Sequence, residues 1–131
     1  MESHHIRMLL TSRRTVLDKC IDLENEIRGL FKIFGIKLPP KLGHGSFDKT
    51  VRAVIEADEK LSHTLLPMLD ARLVLYETFR VLDNRTRHLA WGDEICERLM
   101  TAPGVGYVTA LTFKSGEFDF DGRISKAGDA E

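Results

Sequence analysis

Residues 95–113, ICERLMTAPGVGYVTALTF, predict a short helix, a tight turn and a second short helix. The first helix has to end before Pro103, because proline lacks an amide hydrogen and clashes with the preceding helical turn. Gly104 and Gly106 permit backbone angles that other residues avoid, and they leave room for another molecule to come close. The side chains expected to pack the two short helices together are Ile95, Leu99, Val108, Leu111 and Thr112.

The turn also predicts a phosphate-binding site. The helix that begins after Gly106 has unpaired amide groups and the positive end of its dipole at its first turn. Such an arrangement is typical of helix-hairpin-helix units, which hold nucleic-acid backbone without reading its sequence. The predicted DNA-backbone contacts here are Pro103, Gly104, Val105 and Gly106. The alternative interpretation is a structural connection with a Pro-Gly turn.

Composition is consistent with one helical domain. The chain has 131 residues, 43% of them hydrophobic, and 19 Lys and Arg against 20 Asp and Glu. Since bulk charge does not favour nucleic acid, any such binding has to come from local clustering. Cys20 and Cys96 belong to no metal-ligand spacing, and no metal site is predicted. No signal peptide or membrane span is recognisable, so we expect free thiols in a reducing cytoplasm and no membrane partner.

The first 34 residues predict a long helix with a stripe of coiled-coil type. Apolar residues recur every seven positions and beside those positions, with one interruption at Arg13. The stripe consists of Ile6, Leu9, Leu10, Val16, Leu17, Cys20, Leu23, Ile27, Leu30, Phe31 and Phe34. Gly35 is placed to end this helix, and Pro39-Pro40 prevents its resumption.

Two further helices are predicted before the turn unit. Ser46 is a candidate cap for a short helix that carries Phe47 and ends near Asp58. A long helix should begin at His63 or Thr64, because Pro67 is tolerated only in a first turn. Its expected stripe comprises Met68, Leu69, Leu75, Tyr76, Phe79, Leu82 and Leu89. A basic cluster of Arg80, Arg85, Arg87 and His88 lies near its end, and a solvated face is the favoured interpretation over a binding role.

The resulting fold class is all-α. Two long stripes with a short connector predict an antiparallel coiled-coil hairpin, paired within one chain or between two. We expect a coiled-coil region over residues 1–92 and a helix-hairpin-helix unit over residues 93–114, with Asp93 as its cap. Residues 115–131 predict an irregular tail, since they carry few large apolar side chains.

Three blocks resemble the DEDD-type insertion-sequence transposases, a family associated with bridge-RNA guidance. Residues 2–39 contain IRGL followed by FGIKLP, residues 98–115 read RLMTAPGVGYVTALTFKS, and residues 115–129 read SGEFDFDGRISKAGD. The three blocks occur in the family's order and span nearly the whole chain. The resemblance implies DNA transposition in the bacterial cytoplasm, with DNA and a guide RNA as partners. The stripes over residues 6–34 and 68–89 predict self-association through the coiled coil.

The resemblance also implies a truncated transposase. Family members carry an N-terminal nuclease-like domain, whose four acidic residues bind Mg²⁺, ahead of the first block. Here the chain begins at Met1, and Lys114 is followed directly by Ser115-Gly116 where the family has a longer segment. The expectation is therefore a fragment with no cofactor of its own.

By resemblance, the family's nucleophilic serine corresponds to Ser115, and Arg123 and Lys126 are placed to contact the DNA backbone. A serine hydroxyl needs something to accept its proton before it can attack phosphorus. With no acidic metal cluster in the sequence, a plain tail serine is the alternative, and the chain is predicted to be inactive alone. Two other classes remain open: a non-catalytic coiled-coil interaction protein, and a helix-hairpin-helix accessory protein that binds DNA.

Overall fold

A computed structural model describes residues 3–116 of the chain. Its five helices are α1 (Ser3–Ile33), α2 (His44–Glu56), α3 (Glu59–Trp91), α4 (Glu94–Leu99) and α5 (Tyr107–Lys114). Helix accounts for 80% of this part of the chain, which contains no strand, so the predicted all-α class is confirmed. Of the predicted irregular tail, all but the first two residues lie outside the described range.

The end of α1 follows the sequence prediction. Gly35 has a φ of +73°, a left-handed conformation that favours glycine. Its amide donates to the Lys32 carbonyl, and the Ile36 amide donates to the Phe31 carbonyl, both at 3.0 Å. These bonds satisfy carbonyl groups that the end of a helix otherwise leaves open, so α1 ends and the chain turns back.

Two predicted helix starts are wrong. Helix α2 begins at His44 with Gly43 as its N-cap, and Ser46 lies inside the helix. Helix α3 begins at Glu59, where the Asp58 carboxylate accepts the amide of Lys60 at 2.9 Å, so Pro67 lies well inside it. The turns before Pro67 persist because they bury other side chains, chiefly Leu61 and Leu65. Burial of two leucines, about 1.5–3 kcal/mol each, outweighs a proline cost of about 3 kcal/mol.

The chain divides into two compact units, and α1 and α3 contribute to both. Unit 2, Val16–Phe79, contains the later part of α1, all of α2 and the earlier part of α3. Its core is formed by Ile27, Phe31, Leu38, Phe47, Val51, Ile55, Leu61, Leu65 and Leu69. Glu24 of α1 pairs with Arg72 of α3, while Ile27 and Phe31 lie among residues earlier in α3. The two helices therefore run antiparallel here, as the hairpin prediction requires.

Arg72 of α3 is buried, although the predicted stripe of this helix contains no charged residue. Its side chain is only 1% exposed. Its Nε donates to Glu24 Oε2 at 2.7 Å, and its guanidinium carbon lies 4.6 Å from the centre of the Phe47 ring. The face of α3 in the core is consequently centred on Leu65, Leu69 and Arg72, and Met68 is only partly buried.

Unit 1 comprises Met1–Thr15 and Arg80–Glu131, of which residues 3–15 and 80–116 are described. Its core is formed by Ile6, Ala90, Cys96, Ala110 and Leu111, contributed by α1, α3, α4 and α5. Thr86 of α3 is fully buried, and its hydroxyl donates to the Leu82 carbonyl at 2.7 Å. This unit therefore places the α4–turn–α5 hairpin directly on the two long helices.

Candidate nucleic-acid interface

The turn between α4 and α5 has the geometry that its proline and glycines predict. The Val105 amide donates to the Ala102 carbonyl at 3.2 Å, which closes a four-residue turn with Pro103 and Gly104 at its centre. Gly104 has a φ of +79°, and this combination is typical of a type II turn. Pro103 and Gly104 are exposed, while the Val105 side chain packs against the core of unit 1. Of the predicted contact residues, Val105 therefore faces inward.

Helix α5 opens at Gly106 without a side-chain cap. The first amide with an intrahelical partner is that of Ala110, which donates to the Gly106 carbonyl at 3.0 Å. The amides of residues 107–109 precede it and belong to the turn whose N–H groups a helix leaves open. A Cβ added at Gly106 would meet nothing within 4 Å. The start of α5 is therefore open to an incoming anion.

The sequence predicts special backbone angles at both Gly104 and Gly106, and this is wrong for Gly106. Gly106 has φ −92° and ψ −176°, an extended conformation that any residue can adopt. Only Gly104 of the two glycines needs left-handed backbone. A side chain at Gly106 would therefore obstruct an approaching molecule without straining the turn.

A polar network fixes the first residue of α5 to the long helices. The Tyr107 hydroxyl donates to Asp83 Oδ1 at 2.6 Å, and Arg13 Nε donates to the same oxygen at 2.8 Å. Burial alone would raise the pKa of Asp83, but the hydrogen bonds from Tyr107 and Arg13 and the charges of Arg13 and Arg87 hold it below its usual value. Asp83 is therefore ionised at neutral pH, and it orients Tyr107.

Arg87 brings a positive charge to this network. Its guanidinium carbon lies 5.1 Å from the centre of the Tyr107 ring, and its side chain remains 53% exposed. Arg87 belongs to the predicted basic cluster, and its Nη2 donates to the Tyr107 hydroxyl of α5 at 3.4 Å. Arg85 and His88, with Val81, Asn84 and Leu89, line a separate cleft of about 550 Å³ on α3.

The two ends of the hairpin are joined at Asp93. Its carboxylate accepts the Cys96 amide at 2.9 Å, so the predicted cap of α4 is confirmed. The same carboxylate forms an ion pair with Lys114 at the end of α5. The hydrogen bond from Lys114, followed by that from the Cys96 amide, lowers the pKa of Asp93. The carboxylate therefore stays charged and joins the start of α4 to the end of α5.

Of the residues predicted to pack α4 against α5, Leu99 and Leu111 belong to the core of unit 1 or pack against it, whereas Ile95 does not. Ile95 is 55% exposed, and Cys96 occupies the buried position instead. Burial raises the pKa of the Cys96 thiol to about 11. Cys96 is therefore a protonated, apolar packing group, as expected for a buried free thiol.

Ser115 lies at the end of α5 and is 1% exposed. Its hydroxyl donates to the Thr112 carbonyl at 2.8 Å, and its own carbonyl accepts Arg7 Nη2 at 3.4 Å. The hydroxyl therefore completes the end of the helix. The other two residues assigned by resemblance, Arg123 and Lys126, lie outside the described residues.

In residues 3–116, no three His, Cys, Asp or Glu side chains converge as metal ligands would. Within the same residues, no helix combines the length and apolar character needed to cross a membrane.

Comparisons of the chain with protein-family models, with curated proteins and with solved structures give no match.

Proposed function

We propose that this chain functions in DNA transposition as a helical DNA-binding segment similar to those of the DEDD-type insertion-sequence transposases. The observation that carries the proposal is the exposed Pro103-Gly104 turn followed by the uncapped start of α5 at Gly106. The resemblance of three sequence blocks to that family also supports it.

The proposed contact is between DNA phosphate and the backbone amides of the first turn of α5. These amides are unpaired by helix geometry, and the helix dipole favours a negative charge beside them. Arg87, on the neighbouring long helix and against the Tyr107 ring, adds a long-range attraction for the same anion. Because no base edge is involved, binding is expected to be indifferent to sequence and to weaken steeply with salt.

The partners of this proposal are duplex DNA, a guide RNA by resemblance, and a second copy of the chain through the coiled-coil stripes. Several large apolar side chains of unit 1 remain exposed, among them Val81, Trp91, Ile95 and Phe113. Since such side chains favour association, a non-catalytic interaction protein is the second candidate. Under it, the hairpin is only a structural turn.

The test compares two N-cap glycines. Gly106→Val places a side chain in front of α5, where the added Cβ has open space and the backbone is extended. Gly43→Val is the matched control, because Gly43 caps α2 with φ −69° and ψ 173° and also has open space. Circular dichroism should show both variants folded.

Binding of a labelled DNA duplex is then measured by fluorescence anisotropy at several salt concentrations. Gly106→Val should weaken it about tenfold or more, since a hydrogen bond to a charged group contributes about 1.5–3 kcal/mol. Gly43→Val should bind as the wild-type chain does. Equal affinities for all three proteins would assign the hairpin a purely structural role.

A further inference from the structure

A second cationic feature lies in unit 2, where α1 ends and the chain turns back. A cleft of about 380 Å³ opens there between the last turns of α1 and the loop that follows. Its lining residues are Asn25, Arg28, Gly29, Lys32, Ile36, Lys37, Leu38 and Pro40. None of these side chains is acidic.

The α1 side of the cleft is a single helix face. Asn25, Arg28, Gly29 and Lys32 are spaced at i, i+3, i+4 and i+7, which places them in one row. Gly29 lies in the middle of this row, and a Cβ added to it would meet nothing within 4 Å. Arg28 and Lys32 therefore flank a gap at Gly29, which has no side chain.

The loop brings the third cation to the cleft. After the left-handed turn at Gly35, Leu38 packs into the core of unit 2, and its carbonyl accepts Arg28 Nη1 at 3.5 Å. Lys37, immediately before this anchored residue, lines the cleft together with Arg28 and Lys32. The carbonyls of Phe31 and Lys32 are already hydrogen-bonded to the amides of the turn, so they are satisfied within the fold.

Within the described residues, the three cations of this cleft are not paired with carboxylates, although Arg28 also lies 5.6 Å from the centre of the Phe47 ring. In residues 3–116, Arg28, Lys32 and Lys37 form no ion pair with an acidic side chain. Arg28 and Lys32 are one helical turn apart, a spacing at which like charges repel. A concentration of one sign of charge in a cleft attracts counter-ions of the opposite sign.

We propose that this cleft binds the phosphate backbone of single-stranded nucleic acid. The cleft is near the small end of ligand sites, which are about 300–1,000 Å³, so it admits a nucleotide unit and not a duplex. Phe34, two residues from both Lys32 and Ile36, is 61% exposed. Phe34 does not line the cleft itself, but an exposed aromatic ring is a surface on which an unpaired base can stack. The site is separate from the proposed hairpin contact.

The first test removes charge. A labelled oligothymidylate of about 12 nucleotides, within the usual range of site sizes, serves as the probe in fluorescence anisotropy. The double variant K32Q/K37Q should reduce the slope of log affinity against log salt by about 1.4, since each single-strand phosphate contact contributes about 0.7. The matched control is K49Q/K60Q, which removes two exposed lysines elsewhere in unit 2. Equal losses in the two double variants would overturn the site.

The second test leaves the charge unchanged. Gly29→Leu fills the gap of the cleft with a side chain that the fold has room for, in a helix that glycine weakens. We expect this variant to melt no lower than the wild-type chain and yet to lose binding of the oligothymidylate. Phe34→Ala should weaken binding of the oligonucleotide and leave the folded state intact. Wild-type affinity in Gly29→Leu would refute the assignment of this cleft.

Two further comparisons identify the ligand class. An oligouridylate of the same length tests RNA against DNA, and binding of either that depends on Lys32 and Lys37 supports the site. Polyglutamate that displaces the oligonucleotide at equal charge concentration would instead identify an acidic-protein surface and overturn the proposal. Gly106→Val, which tests the hairpin, should leave oligothymidylate binding unchanged. The two proposals can therefore fail separately.

Discussion

Among the described residues, unit 2 encloses nine buried apolar side chains in one core, with both Phe31 and Phe47 in it, whereas unit 1 encloses five. Two of those five are alanines, Ala90 and Ala110. Since stabilisation by burial scales with apolar area, unit 2 draws more of its stability from the hydrophobic effect.

Unit 1 supplements its smaller core with charged hydrogen bonds, whereas unit 2 adds the Arg72–Glu24 pair to a larger core. Asp83 joins α3 to α1 and α5, and Asp93 joins the start of α4 to Lys114. Such contacts depend on pH and on complete pairing, whereas an apolar core does not. The region proposed to contact DNA therefore belongs to the unit whose stability is more conditional, which is typical of functional elements.

The largest expected effect is in the core of unit 2. Phe31→Ala removes a fully buried ring and should lower the free energy of unfolding by about 3–5 kcal/mol, measured by urea denaturation followed by circular dichroism. Ile33→Ala, at a neighbouring position that is 75% exposed, is the control and should change stability by less than about 0.5 kcal/mol.

The alkylation rates of the two buried cysteines report the opening of each unit separately. Cys20 lies in unit 2 and Cys96 in unit 1, and burial raises the pKa of both thiols. In Phe31→Ala, alkylation of Cys20 should accelerate more than alkylation of Cys96. If alkylation of both cysteines accelerated equally, the two units would open together. The difference in their stability would then not extend to their opening.

As the pH falls, unit 1 should lose stability before unit 2 does. The folded-state pKa values of Asp83 and Asp93 are lowered, so their stabilisation is fully present above the unfolded-state value of about 3.9 and is lost as the pH falls below it. The single tryptophan, Trp91, lies in unit 1 and reports this change by fluorescence between about pH 5 and pH 2.

Asp83→Asn tests the origin of that acid response. The variant keeps the shape of the side chain but removes the charge that pairs with Arg13 and Arg87, at a cost of about 1–3 kcal/mol. Its Trp91 fluorescence should depend less on acid than that of the wild-type chain. Asp48→Asn, which alters an ion pair with Arg52 in unit 2, should retain the wild-type acid response. An unchanged titration in Asp83→Asn would assign the response to other groups.

Local sequence signals predicted much of the fold. The apolar period of α1 identified Ile6, Cys20 and Ile27 as buried, and the Pro103-Gly104 pair identified the turn. These features depend on neighbours a few residues apart, which a sequence displays directly.

The sequence predictions fail for features that depend on contacts between residues far apart in the chain. Arg72 and Thr86 are polar, so apolar patterning left them out of the stripe of α3, and of the predicted stripe residues only Leu69 is buried. Phe34 continues the period of α1 but lies beyond its last residue and is exposed. The link between Asp83 and Tyr107 joins residues 24 positions apart, and no local pattern indicates it.

The smallest expected effect concerns Ser115. Its hydroxyl is buried and donates to the Thr112 carbonyl, so Ser115→Ala should cost only about 0.5–1.5 kcal/mol. A serine attacks phosphorus only when a base removes its proton and the oxygen can reach the substrate. In the fold described here, that proton faces a backbone carbonyl, which cannot serve as a base. We therefore expect no covalent adduct when the chain is incubated with supercoiled DNA and Mg²⁺ and analysed by denaturing electrophoresis. An adduct that forms in the wild-type chain and disappears in Ser115→Ala would show that α5 releases this serine on DNA.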